Sequence, residues 1–111
     1  MPTLHIEHPI TDFATWKAAF DRFAPAREAS GVLHHRIQRP IDDPRYIVID
    51  LDFDTDAEAK AFLQILQTRV WASIESSPAL VGTPQTKILA PLSRSERASF
   101  VALANKALGL G

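Results

Sequence analysis

Five side chains in this sequence have the types and spacing that acid–base chemistry needs. They lie in three stretches that alternate apolar and polar residues, and they are His5, His34, Arg36, Tyr46 and Asp50. A histidine beside a carboxylate can serve as a general base, because its unperturbed pKa of about 6.5 is close to working pH. A guanidinium can hold a carboxylate or a developing oxyanion. We therefore predict a catalytic site in which His5 or His34 is the base and Arg36 or Tyr46 orients the substrate.

These side chains can meet only if one face of a sheet carries them all. In residues 46–53, Ile47, Ile49, Leu51 and Phe53 alternate with Tyr46, Val48, Asp50 and Asp52. This period of two predicts the central strand of a sheet with one apolar core face and one mixed face. We call the mixed face the open face. The same alternation assigns His5, Glu7, His34, Arg36, Gln85, Lys87 and Leu89 to it.

The remaining elements follow from local signals. Alternation predicts three further strands, over residues 3–8, 32–39 and 85–90. Thr11-Asp12 begins a first helix, in which Pro25 predicts a kink or a restart near Ala24 before the helix ends by Gly31. Capping boxes at Thr55 and Ser93 begin two more helices. The inward stripes of the first two helices consist of Phe13, Trp16, Phe20 and Phe23, and of Phe62, Ile65 and Leu66.

The order of these elements predicts an α+β fold of the ferredoxin-like βαββαβ type. The strands then form a four-stranded antiparallel sheet in the order 4-1-3-2, with both helices on one face. We expect a single domain, 1–111, with residues 3–90 as the ferredoxin-like core. Residues 93–108 are expected to form a C-terminal helix that packs over a sheet edge or on a partner subunit.

Composition excludes several classes of function. The 12 basic and 13 acidic residues give a formal net charge of -1, so we expect no nucleic-acid partner and no membrane partner. The chain has no cysteine, which excludes disulfides, thiolate metal sites and a cysteine nucleophile. The N-terminus lacks a basic start followed by an apolar run, and we expect a cytoplasmic protein.

Several segments resemble small bacterial proteins of the dimeric α/β-barrel superfamily, which are relatives of the antibiotic biosynthesis monooxygenases. The segments are Asp12-Phe-Ala-Thr-Trp-Lys-Ala-Ala-Phe-Asp21 and residues 31–39, 43–54, 59–63 and 81–84. The resemblance covers residues 3–90 and implies a ferredoxin-like chain that pairs into a dimeric α/β barrel. The exposed apolar groups of the open face, Tyr46, Val48 and Leu89, favour the same conclusion. We therefore expect a homodimer formed face to face between sheets, with a small-molecule ligand in the barrel.

The resemblance leaves the activity open between two classes. It implies a cofactor-independent monooxygenase-like or cyclase/isomerase-like enzyme that acts on a small organic substrate. The alternative is a non-catalytic small-ligand-binding or stress-related dimer. Haem enzymes of this superfamily use a helix-borne histidine as iron ligand, whereas all four histidines here lie on predicted strands. We accordingly expect no cofactor.

Other interpretations of the polar residues have to be weighed against catalysis. The open-face groups can instead be solvated side chains or ion pairs within a dimer seam. His5, Asp50 and His34 lie on three successive strands and could bridge a metal ion, but the sequence has no short-range ligand motif, and we predict no metal. His35 shares a side with Leu33 and Ile37, which predicts a hydrogen-bonded core histidine, while His8 ends the first strand before Pro9.

Overall fold

A computed structural model of the protein describes residues 1–92. The predicted C-terminal helix, 93–108, lies outside the described residues. The elements in chain order are β1 (Thr3–Pro9), α1 (Phe13–Arg22), α2 (Ala24–Ala29), β2 (His34–Gln38), β3 (Tyr46–Asp52), α3 (Asp56–Ile65), a π-helical turn (Leu66–Val70) and β4 (Gln85–Leu89).

The four strands form one antiparallel sheet in the order β2-β3-β1-β4. This confirms the predicted α+β ferredoxin-like fold and the predicted strand order. The register between the two central strands places His5 opposite Asp50, and β2 places Arg36 opposite the same aspartate. Three of the five predicted site residues therefore lie side by side across the middle of the sheet.

The core lies between the sheet and the helices. Its most buried large side chains are Leu4, Ile47, Leu51 and Phe53, which alternate along β1 and β3 and just beyond, as the sequence predicts. Burying each of them stabilises the fold by about 2 kcal/mol. Phe62 of α3 closes this layer, with its ring centroid 5.8 Å from that of Phe53.

Local signals set the helix boundaries. Asp12 caps α1 by accepting a hydrogen bond from the backbone N–H of Thr15 at 2.8 Å. Phe23 interrupts the helical path, and Pro25 lies in the first turn of α2, where a missing N–H costs little. Of the two predicted alternatives near Ala24, the structure shows the restart, since α2 begins there as a separate helix. Thr55 caps α3 by accepting a hydrogen bond from the Glu58 backbone N–H at 3.2 Å.

Two details differ from prediction at the edge of the sheet. The predicted strand 32–39 is shorter, because the N–H of Val32 donates to the carbonyl of Arg27 and so belongs to the turn that ends α2. His35 is exposed, so its prediction as a core histidine is wrong. It lies on an edge strand, and its aromatic neighbour is the Phe20 ring, at a centroid distance of 5.4 Å.

No helix formed by residues 1–92 combines the length and the apolar character that crossing a membrane requires.

Candidate functional site

His5 is the centre of a hydrogen-bonded network on the open face. Its Nδ1 lies 2.7 Å from Oδ1 of Asp50, and its Nε2 lies 2.8 Å from Oε2 of Glu7. The network extends in both directions. Arg36 donates from Nη2 to Oδ2 of Asp50 at 3.0 Å, and the Tyr46 hydroxyl donates to Oε1 of Glu7 at 2.7 Å. Four of the five predicted site residues are thus brought together, and Glu7 is the link to Tyr46.

The electrostatics of this network favour a protonated histidine. Its hydrogen bond to Glu7, and then its bond to Asp50, raise the pKa of His5 above its ordinary value. The hydrogen bonds from His5 and Tyr46 lower the pKa of Glu7, and the bond to Glu7 raises the pKa of Tyr46. A protonated imidazole between two carboxylates has no lone pair with which to accept a proton. The arrangement therefore suits an ion-paired cluster better than a general base.

His34 is the one predicted site residue that lies outside the network. It is opposite Asp52 in the register, two pairs beyond Arg36, and its side chain is exposed. Asp52 accepts a hydrogen bond from the Thr3 hydroxyl at 2.6 Å. Among residues 1–92, His34 makes no side-chain hydrogen bond, and no three acidic, histidine or cysteine side chains are arranged to hold a metal ion.

A cavity of about 260 Å³ lies on the other side of the sheet, between the core face and the helices. Its wall is mostly apolar and includes Trp16, Phe20, Phe62, Leu66, Trp71 and Leu80. The π-helical turn contributes because it widens the end of α3, where the Trp71 N–H donates to the Leu66 carbonyl at 2.7 Å. Such apolar hollows with a few polar groups are the usual form of small-molecule sites. This cavity was not predicted from the sequence.

Two buried polar residues, His8 and Arg27, contribute to the cavity wall, and His8 is the more deeply buried of them. Only 3% of its surface is exposed, and its Nδ1 lies 2.8 Å from the carbonyl oxygen of Pro9. Since a carbonyl can only accept, Nδ1 carries the proton and Nε2 keeps its lone pair. Burial lowers the pKa of His8 below its ordinary value, so the ring is neutral at neutral pH. The signal for this residue was present in the sequence, since His8 continues the inward alternation of Leu4 and Ile6.

Comparison with solved structures shows what this fold is similar to. SnoaB, a cofactor-independent oxygenase from Streptomyces nogalater, has a TM-score of 0.65 at 16% identity over 84% of this chain and 94% of its own. A monooxygenase from the gene ActVA-Orf6 of Streptomyces coelicolor, in complex with nanaomycin D, has a TM-score of 0.61 at 14% identity over 86% and 90%. A dimeric ferredoxin-like protein from an uncultured marine organism has a TM-score of 0.57 at 12% identity over 87% and 100%.

These similarities confirm the predicted resemblance to the monooxygenase-like proteins at the level of the fold. No family model matches the chain, and no curated protein matches it in sequence.

Proposed function

We propose that the protein binds a small aromatic molecule in the cavity between sheet and helices and removes a proton from it with His8. The observation that carries the proposal is the apolar cavity of about 260 Å³ with a neutral, buried histidine in its wall. Its volume lies just below the usual range of ligand cavities, about 300–1,000 Å³, which favours a small molecule of two or three fused rings.

Proton removal can be followed by oxygenation without a cofactor. In this scheme Nε2 of His8 takes a proton from an acidic CH₂ group beside a phenol or carbonyl, and the resulting carbanion supplies the electrons that reduce O₂. Conversion of the CH₂ to a C=O consumes one O₂ and releases one water, so no external reductant is needed. SnoaB, which is described as a cofactor-independent oxygenase, has a similar fold, and this similarity supports oxygenation over isomerisation or cyclisation as the proposed reaction.

Binding can be measured through the protein's own fluorescence. The chain has two tryptophans, and both Trp16 and Trp71 line the cavity. Titration with a fused-ring hydroxyaromatic is expected to quench their emission with a saturable curve. Ala19→Leu fills the cavity from α1 and is expected to abolish the quenching. Ala18→Leu is the matched control, because Ala18 is the exposed neighbour on the same helix and should leave binding unchanged.

Turnover is tested separately from binding. An O₂ electrode should record uptake when an anthrone is added to the metal-free protein, with one O₂ consumed per quinone formed. Binding without O₂ uptake or any other product would contradict the enzymatic part and favour a small-ligand-binding protein. Equal quenching of the Ala18→Leu and Ala19→Leu proteins, both folded by circular dichroism, would place the ligand elsewhere.

We also infer that the chain forms a homodimer through the open face. Val48 and Tyr46 lie among the charges of that face, and Leu89 is 44% exposed there, so a second sheet would cover them. The dimeric ferredoxin-like protein from the marine organism, which shares this fold, supports the inference. In such a dimer the network around His5 becomes part of the seam, with its charges already paired.

The open face is the second candidate for a ligand site. The exposed His34 beside Arg36 favours it, because both could still contact a molecule held between two sheets. His34→Ala or Arg36→Ala would then abolish ligand binding or turnover while costing little stability, since neither residue belongs to the core. Unchanged ligand binding in both variants would exclude this face as the site.

A further inference from the structure

The charged groups around the cavity are all of one sign. Arg27 and Arg69 contribute to the wall, and no aspartate or glutamate from residues 1–92 does. The third titratable group in the wall, His8, is neutral because burial lowers its pKa. An apolar cavity that carries cations without carboxylates has a positive potential, and low surrounding polarity strengthens that potential.

Arg27 is the buried member of this pair. Only 7% of its surface is exposed. One Nη1 hydrogen bond to the Phe20 carbonyl holds the guanidinium, and its Cζ lies 3.6 Å from the centroid of the Phe20 ring. These contacts orient the group, but a carbonyl and an aromatic ring do not neutralise a full charge. Arginine keeps that charge at any working pH, so burial without a counter-ion costs free energy.

The carboxylate that acts on Arg27 is engaged elsewhere. Burial lowers the pKa of Arg27, and the negative charge of Asp21 partly offsets this effect by favouring the charged guanidinium. Both oxygens of Asp21 accept from Nζ of Lys17, at 2.7 and 2.9 Å, on the exposed side of α1. Within residues 1–92 no carboxylate lies within 4.0 Å of the guanidinium.

We propose that the ligand of this cavity is an aromatic acid whose carboxylate pairs with the Arg27 guanidinium while its rings lie against Trp16 and Phe20. This inference rests on the proposed function, because it names the chemical class of the molecule that the cavity binds. The guanidinium presents parallel N–H groups that fit the two oxygens of a carboxylate. The Phe20 ring is stacked with Trp16, with centroids 4.9 Å apart, and its own centroid lies 3.6 Å from Cζ of Arg27, so the three side chains adjoin one another in the cavity wall.

A pair of ligands that differ only in charge tests the inference. 2-Naphthoate and 2-naphthamide have nearly the same shape, and each is titrated against the wild-type protein while tryptophan emission is recorded. The naphthoate is expected to bind at least about tenfold more tightly, since a charge-assisted hydrogen bond contributes more than a neutral one. Equal affinity would overturn the inference and leave the proposed function standing. If neither naphthoate nor naphthamide bound, both the inference and the proposed function would be overturned.

Substitutions then test whether Arg27 is the residue that causes the preference for naphthoate. Arg27→Met is expected to remove the preference for naphthoate and to leave naphthamide binding within about threefold of wild type, which also shows that the variant is folded. Arg22→Met is the matched control, because Arg22 is exposed on α1 and does not line the cavity. A preference that survives in Arg27→Met but is lost in Arg69→Met would overturn the assignment to Arg27.

Discussion

His5 and His8 both belong to β1, but their side chains have opposite environments, and these environments suit them to different roles. His5 faces two carboxylates on the open face, and its pKa is raised. His8 faces the apolar cavity, and its pKa is lowered by burial. A base must be unprotonated at working pH, so the same physical argument that favours His8 as the base disfavours His5. Three residues of separation along β1 are enough to change the face and therefore the chemistry.

Replacing His8 tests its role as the base. His8→Gln keeps a polar side chain of similar length but has no titratable group, so O₂ uptake with an anthrone should fall about 10²- to 10⁴-fold. Quenching of tryptophan emission by the ligand should change little, because the apolar wall is intact. The control is His35→Gln, since His35 is exposed on β2. Wild-type turnover in the His8 variant would show that another group removes the proton.

The His5 network should contribute to stability in a pH-dependent way. A raised folded-state pKa means that the folded protein holds a proton more tightly, so the contribution is complete below 6.5 and is lost as pH rises through the folded-state pKa. Thermal melts should therefore show the largest loss for His5→Gln at about pH 5.5 and a much smaller loss at about pH 9. The matched control is His34→Gln, on the same face without a side-chain hydrogen bond in residues 1–92, which should cost little stability.

Among the secondary-structure elements, the strand faces and the helix starts were predictable, because they depend on residue alternation and on capping residues. Alternation placed His5, Arg36 and Asp50 on one face, and Asp12 and Thr55 marked the starts of α1 and α3. Register was not predictable, because nothing local states that His5 lies opposite Asp50. The cavity was not predictable either, since its volume depends on how far the helices and the π-helical turn lie from the sheet.

The link between α2 and β2 depends on a glycine. Gly31 has φ of +92°, and a Cβ there would meet the carboxylate of Glu58. Gly31→Ala should lower the free energy of unfolding by about 1–2 kcal/mol, measured by urea denaturation. Gly82 also has a positive φ, +69°, but no described heavy atom lies within 4 Å of its added Cβ. Gly82→Ala should therefore cost less, and the excess cost at Gly31 should disappear in a Glu58→Ala background.

In the whole molecule, the proposed ligand cavity and the proposed dimer seam lie on opposite faces of the sheet. The cavity is formed within one chain, on the helix side, whereas the proposed dimer seam lies on the open face. Ligand binding and dimerisation should therefore be separable. A ligand held between two sheets by His34 and Arg36 would instead require the dimer, so breaking the seam distinguishes the two candidate sites.

Val48→Asp is expected to break the proposed seam. Val48 lies in the middle of β3, opposite Glu7, and an added carboxylate would put a further negative charge where two sheets meet. Sedimentation should report about twice the chain mass of 12.3 kDa for wild type and the chain mass itself for the variant. Val81→Asp, at a loop position that is 41% exposed, is the matched control and should remain dimeric.

The same variant decides where the ligand binds. A monomeric Val48→Asp protein should still bind naphthoate, because the cavity and Arg27 belong to a single chain. Loss of binding together with loss of the dimer, in a variant whose melting temperature matches that of wild type, would move the site to the open face around His34 and Arg36. A wild-type chain that sediments as a monomer at every micromolar concentration would rule out the seam itself and leave the network around His5 exposed to solvent.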